Sequence, residues 1–260
     1  MESHNIPSND PVIALDVCRT LAKTLTALDR NPDNAAETLR SCPLMDRPKT
    51  GKIIGVTGPE SVGKSTLISS LITTLRKSGK TVAVLAIDPS SSINGGAFLG
   101  DRTRMQSHAI DRGVFIRSIA TKNASAGLAP AARSMLELMA HVADAVIVET
   151  TGAGQTDSGI ADLCQTLVLM PSPKGDEVSI MKSGVKEHAH LLVVNTRQSE
   201  APICEHFTQQ LRMEWEGGLL PDGWRRKIFS VDALYGRGVD ELVRDGILAH
   251  WTHLDAATVK

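Results

Sequence analysis

The stretch Gly58-Pro59-Glu60-Ser61-Val62-Gly63-Lys64-Ser65-Thr66 reads G-x-x-x-x-G-K-S-T, and its flanks decide what it means. Before it, Ile53-Ile54-Gly55-Val56-Thr57 is short, apolar and rich in β-branched residues, as suits a buried strand. After it, Leu67, Ile68, Leu71, Ile72 and Leu75 recur at helical spacing. Strand, glycine loop and helix in that order form the setting of a phosphate-binding P-loop. Backbone amides across residues 60–66 can wrap a phosphate, and the helix N-terminus adds partial positive charge. Gly58, Glu60, Ser61, Val62, Gly63, Lys64, Ser65 and Thr66 are therefore candidate nucleotide-binding residues. Lys64 is expected to reach the outer phosphates and to serve catalysis, and the Ser65 hydroxyl to ligate Mg²⁺.

Composition narrows the setting. A chain of 260 residues can hold one large α/β domain with an appendage or two small domains. Hydrophobic residues at 42% and charged residues at 22% are ordinary for a globular protein with a buried core. The net charge of −1 makes no electrostatic case for nucleic acid or for an anionic membrane. Cys18, Cys42, Cys164 and Cys204 stand far apart with no C-x-x-C pair, so they read as reduced thiols. Residues 1–10 lack the basic flank and apolar core of a signal peptide. No apolar run approaches the roughly 20 residues that span a bilayer. The expectation is a cytoplasmic protein with no nucleic-acid or membrane partner.

Outward from the loop, residues 81–87 form an unbroken β-prone run ending at Asp88, as a parallel strand buried on both faces would. Residues 114–119, 145–149, 166–170, 190–194 and 227–231 read as further strands. Helices are expected at 130–143, 179–188, 201–216 and 237–251, and Gly79 reads as the stop of the P-loop helix. The fold class is α/β, a three-layer sandwich with a mostly parallel central sheet of the P-loop NTPase kind. Before it, residues 11–28 and 35–39 read as short helices, and the proline-rich stretch 42–51 as a linker. This places an N-terminal helical extension at 1–50 and the nucleotide-binding domain at 51–260.

Asp88, Asp101 and Glu149 are acids in segments that follow or close strands, at the edge where ligands bind in open α/β sheets. Mg²⁺ prefers hard oxygen ligands, so the three join Ser65 as candidate metal ligands. Asp101 is also a candidate catalytic group. Glu149 leads into Thr150-Thr151-Gly152-Ala153-Gly154-Gln155, where the Gly152 N–H can sense a γ-phosphate and Gln155 can position a water. Arg102 and Arg104 could neutralise phosphate charge or form surface ion pairs. His188 and His190 straddle a helix–strand junction and read as non-ligating.

These segments together resemble the MeaB/ArgK-type P-loop GTPases of the SIMIBI class, chaperones of adenosylcobalamin-dependent acyl-CoA mutases. The resemblance is carried by Gly55 to Pro59 with the P-loop, Asp88-Pro89-Ser90-Ser91, and Gly95-Gly96 with Leu99 to Met105. Glu149-Thr150-x-Gly152-x-Gly154-Gln155 adds to it, and Gly175-Asp176-Glu177 is similar to the switch segment that faces the mutase. It covers roughly residues 50–195, and more faintly 233–242. It implies GTP or GDP with Mg²⁺ as cofactors, and hydrolysis coupled to loading or protecting a mutase's cofactor.

The chain departs from the family pattern at the base. Asn195-Thr196-Arg197-Gln198 stands where the family reads Asn-Lys-x-Asp. Gln198 accepts through one carbonyl where aspartate accepts both guanine donors, and losing such a contact costs about 1.5–3 kcal/mol. Asp232-Ala233-Leu234 replaces the family's Ser-Ala-Leu, so Asn195, Gln198, Asp232 and Ala233 are the candidate base contacts. Ser61 replaces a family glycine, which implies strain if the position needs positive φ. The family's C-terminal dimerisation arm has no counterpart after Trp251, so a monomer or a different homodimer is expected. The competing expectation is a nucleotide-binding regulatory or scaffold protein with little or no hydrolysis.

Overall fold

The computed structural model describes residues 10–89, 108–121, 131–150, 158–173, 184–196 and 201–258. Among them, seven strands build one sheet: β1 (Lys52–Thr57), β2 (Val82–Pro89), β3 (Val114–Thr121), β4 (Ala145–Thr150), β5 (Thr166–Leu169), β6 (Leu191–Asn195) and β7 (Lys227–Val231). Their order is β3-β2-β4-β1-β5-β6-β7. Every described pairing is parallel, where a mostly parallel sheet was expected. Parallel neighbours need crossover connections, and helices supply them.

The helices are α1 (Leu15–Arg30), α2 (Ala35–Arg40), α3 (Lys64–Lys77), α4 (Ala132–Ala140), α5 (Ser158–Ala161), α6 (Val185–His188), α7 (Ala201–Trp215), α8 (Val239–Glu241) and α9 (Ala249–Thr258). A π-helical stretch, Leu242–Leu248, joins α8 to α9. Here β7 presses on the helix. A side chain at Gly246 would meet the Phe229 ring at 3.0 Å, so glycine lets the wide turn lie against the sheet.

Strands buried on both faces explain the long apolar runs. On one face Leu67, Ile68, Leu71, Ile72 and Leu75 of α3 pack with Ile54, Val56, Val84, Ile147, Leu242 and Ile247. On the other, Met135 and Met139 of α4 and Phe207 and Leu211 of α7 cover Ile53, Leu85, Val146 and Val148. Helix α1 begins and ends slightly later than its loose periodicity implied, and it buries Leu21, Leu25 and Leu28 fully in that second cluster. The stretch expected to be a linker makes a 3₁₀ turn at Pro43–Asp46 and buries Cys42 and Leu44 in the same cluster. Tertiary burial overrides its polar composition there.

Gly79, at φ +70°, terminates α3 as its position predicted. All four cysteines are free thiols, and burial pushes Cys164 up to about 12.

Candidate functional site

Strand β1 sits mid-sheet between β4 and β5, with β2 and β3 beyond one side and β6 and β7 beyond the other. The chain therefore reverses its direction of travel at β1, and ligands in open α/β sheets bind at such a point. The P-loop leaves β1 there. Gly58 takes φ +147° because a side chain would strike the Met170 carbonyl oxygen at 2.3 Å. Gly63 takes φ +101°, and a side chain there would strike Asn195 Nδ2 at 2.4 Å. Ser61 also has positive φ, at +61°, and it alone does so among the described non-glycine residues. The serine thus occupies a conformation that glycine adopts more readily, at a cost of about 1–2 kcal/mol. The loop keeps its shape despite the substitution.

Lys64, buried at the start of α3, donates from Nζ to the carbonyl oxygens of Gly58 (2.8 Å) and Pro59 (2.9 Å). Its ammonium lies across the loop where a phosphate chain would lie. The neighbouring Ser65 Oγ donates to Glu149 Oε1 at 2.9 Å. Both are buried, and Glu149 is brought there by β4, which pairs it with Val56 of β1. A buried hydroxyl and carboxylate, both hard oxygens and already in contact, form a donor set that fits Mg²⁺. One turn outward, Thr150 Oγ1 donates to Thr57 Oγ1 at 3.0 Å, tying the ends of β4 and β1 together.

Asn195 closes the other side. From the end of β6, its Nδ2 donates to the Val62 carbonyl oxygen at 2.9 Å, and its Oδ1 accepts from the Ala233 N–H at 3.1 Å. One side chain therefore links the phosphate loop to the segment expected to meet the base. Ser70 Oγ of α3 fixes that segment again, donating to the Ala233 carbonyl oxygen at 2.6 Å. Asp232 and Arg237 bridge through their backbones, and Asp232 Oδ1 accepts from the Tyr235 N–H at 3.3 Å. The Asp232 carboxylate thus shapes its own turn.

A family model described as "Methylmalonyl Co-A mutase-associated GTPase MeaB" matches residues 21–260. The chain belongs to the MeaB family. A GTPase-named protein of Pyrococcus abyssi is 38% identical over 229 residues, which cover 86% of this chain and 69% of that protein. "GTPase ArgK" of Escherichia coli is 33% identical over 238 residues, covering 86% and 69%. Among solved structures, a "LAO/AO transport system kinase" aligns with TM-score 0.66 and 26% identity, over 92% of this chain and 72% of that one. The fold expected from the P-loop and its flanks, and the GTPase class implied by the resemblance, are those of this family.

Of the candidate site residues, the structure brings together Gly58 to Thr66, Glu149, Asn195, Asp232 and Ala233. Asp88 is the penultimate residue of β2, paired through the backbone with Ala120, and its side chain lies outside the described set. Asp101, Gly152, Gln155 and Gln198 lie outside the described residues altogether, as do Arg102 and Arg104. Two contacts escaped the sequence reading: Ser70 to Ala233, 163 positions apart, and Thr57 to Thr150, 93 apart. Both join residues far apart in sequence, and spacing does not disclose such pairings.

At the opposite edge of the sheet, His190 is not isolated. Its Nε2 lies 3.4 Å from Asp222 Oδ2, and His250 Nε2 lies 3.2 Å from the same oxygen. The Leu167 N–H donates to His190 Nδ1 at 3.0 Å, so the proton of the neutral ring must sit on Nε2, facing Asp222. That makes the group a hydrogen-bonded clasp between β5, the 216–226 loop and α9. Burial, then the neighbouring His250, depresses His190 to about 4. For Asp222, burial alone would raise the carboxyl, but the Trp224 N–H and His250 hold it below its usual range.

A depressed histidine makes the unfolded chain the better proton binder between about 4 and 6.5. Stability contributed there is full above pH 6.5 and is lost as pH falls towards 4. At about 1.4 kcal/mol per unit, the loss is expected to reach roughly 2–3 kcal/mol. Urea unfolding at pH 7.5 and pH 4.5 measures it, and His190→Asn should shrink the difference.

Proposed function

We propose that this chain hydrolyses GTP as the chaperone of an adenosylcobalamin-dependent acyl-CoA mutase, coupling its nucleotide state to loading or protection of the mutase's cofactor. The observation that carries the reading is the match of residues 21–260 to a mutase-associated GTPase family, joined to an assembled P-loop. The chain's own residues supply the steps. The Lys64 ammonium leaves the Gly58 and Pro59 carbonyls for phosphate oxygens and so neutralises charge on the outer phosphates. Amides of residues 60–66 hold the phosphate chain at the N-terminus of α3. Ser65 and Glu149 would hold Mg²⁺, with Asp88 and Asp101 as further carboxylates; the ion supplies charge neutralisation between the phosphates. In this reading the Gly152 N–H senses the γ-phosphate, Gln155 orients the attacking water, and Asn195, Gln198, Asp232 and Ala233 frame the guanine. The protein acts in the cytoplasm. No helix among the described residues is long and apolar enough to cross a membrane.

The strained Ser61 and the Asn195-Thr196-Arg197-Gln198 sequence favour one other reading, a nucleotide-binding scaffold with little hydrolysis. One experiment separates the two. Pull-down with cobalamin-binding acyl-CoA mutases, in GDP and in a non-hydrolysable GTP analogue, should show association that changes with the nucleotide. Turnover of GTP should accompany it. Association without turnover selects the scaffold, and no association with any such mutase sinks the chaperone reading.

A further inference from the structure

A cavity lies away from the P-loop. With a volume of about 730 Å³, it opens between α1, α2 and the edge strand β3, and lies within the size range of small-molecule sites. Helix α1 presents Lys23, Thr26 and Arg30 to it at helical spacing. Asn31 and Asn34 line it from the turn that follows. Arg117 of β3 completes it. Strand alternation places Arg117 on the same sheet face as Ile119, which is in the buried core, and Phe115, which packs against it.

The chemistry of this lining has one sign. Three cations and two carboxamides face the cavity, and no carboxylate among the described residues lines it. Among the described residues, Lys23, Arg30 and Arg117 enter no ion pair, although Asp29, Asp33 and Glu37 lie close in sequence. Arg117 Nε is fully buried and has no hydrogen-bond partner, an unfavourable state for a charged donor. A guanidinium set against the core of an edge strand, beneath two more cations, calls for an oxyanion. A planar donor fork fits phosphate oxygens best. Ala22 and Ala27 add a small apolar wall beside the charges.

We propose that this cleft binds a phosphorylated small molecule, with the half-buried Arg117 as its anchor and Lys23 and Arg30 as exposed clamps at its mouth. The inference is independent of which base the P-loop reads. The test uses the full chain saturated with Mg·GDP, so that the P-loop is filled, and titrates pyrophosphate, inorganic phosphate and succinate by calorimetry in excess Mg²⁺. Pyrophosphate should bind more tightly than succinate. Arg117→Gln should weaken it by about tenfold or more, the scale of one lost charge-assisted contact. Mg·GDP affinity should stay unchanged in that variant. Should Arg117→Gln fail to fold, Lys23→Gln and Arg30→Gln at the exposed rim each predict a loss of about threefold or more. No pyrophosphate binding by the GDP-loaded wild type, or unaltered binding in the folded variants, overturns the site. Equal binding of succinate overturns its assignment to phosphate.

Discussion

Replacing Lys64 with alanine is expected to cut GTP turnover by at least about a hundredfold, the scale of losing one preorganised donor to developing charge. The ammonium is already at the loop, held by the Gly58 and Pro59 carbonyls, and it reaches the phosphates by exchanging those acceptors for phosphate oxygens. Its removal deletes the one cationic side chain of the P-loop, while the amides of residues 60–66 stay in place. Nucleotide affinity should therefore fall less than turnover does. Steady-state phosphate release measures the turnover and titration with Mg·GDP the affinity, with circular dichroism to confirm the fold. Equal turnover by Lys64→Ala and wild type would show that hydrolysis does not run through this loop.

Asn195→Ala should lower GDP affinity by about thirtyfold. The estimate takes two hydrogen bonds at roughly 1 kcal/mol each and converts their sum to a binding ratio. Those bonds run to the Val62 carbonyl and the Ala233 N–H, so the variant frees the phosphate loop and the base segment from each other together. Asn195→Asp is the sharper probe. It keeps an acceptor for Ala233 but sets a carboxylate oxygen against the Val62 carbonyl, so it should bind GDP no better than the alanine variant. Isothermal titration of the three proteins with Mg·GDP gives the ranking. Wild-type affinity in Asn195→Asp would mean that the contact with Val62 carries nothing.

What the sequence disclosed follows from how local each feature is. The P-loop, its strand and its helix are contiguous, so spacing alone placed them, and even the backbone of Ser61 followed from the type of residue expected there. The strands were legible because burial on both faces leaves unbroken apolar runs. Glu149 and Asn195 were legible because each closes such a run. Contacts made across the fold were not. His190 meets Asp222 and His250 only because β6, a loop and α9 converge, and a pair of histidines at 188 and 190 gives no hint of it. Cys42 and Leu44 were hidden in a stretch whose prolines and charges look like a linker, yet their two apolar side chains reach the core. The cationic cleft was invisible for a related reason: Lys23, Arg30 and Arg117 come from two segments whose charges look like ordinary solvated positions.

Titration of the wild-type protein with GDP and ADP, each with Mg²⁺, tests the account most directly. The nucleotide site is read as a guanine site in which Gln198 gives a weaker base contact than aspartate would. GDP should then bind tighter than ADP by about tenfold to a hundredfold, roughly 1.4–2.7 kcal/mol. ADP binding as tightly as GDP would contradict the guanine assignment, and with it the place of this chain as a GTP-driven partner of a mutase.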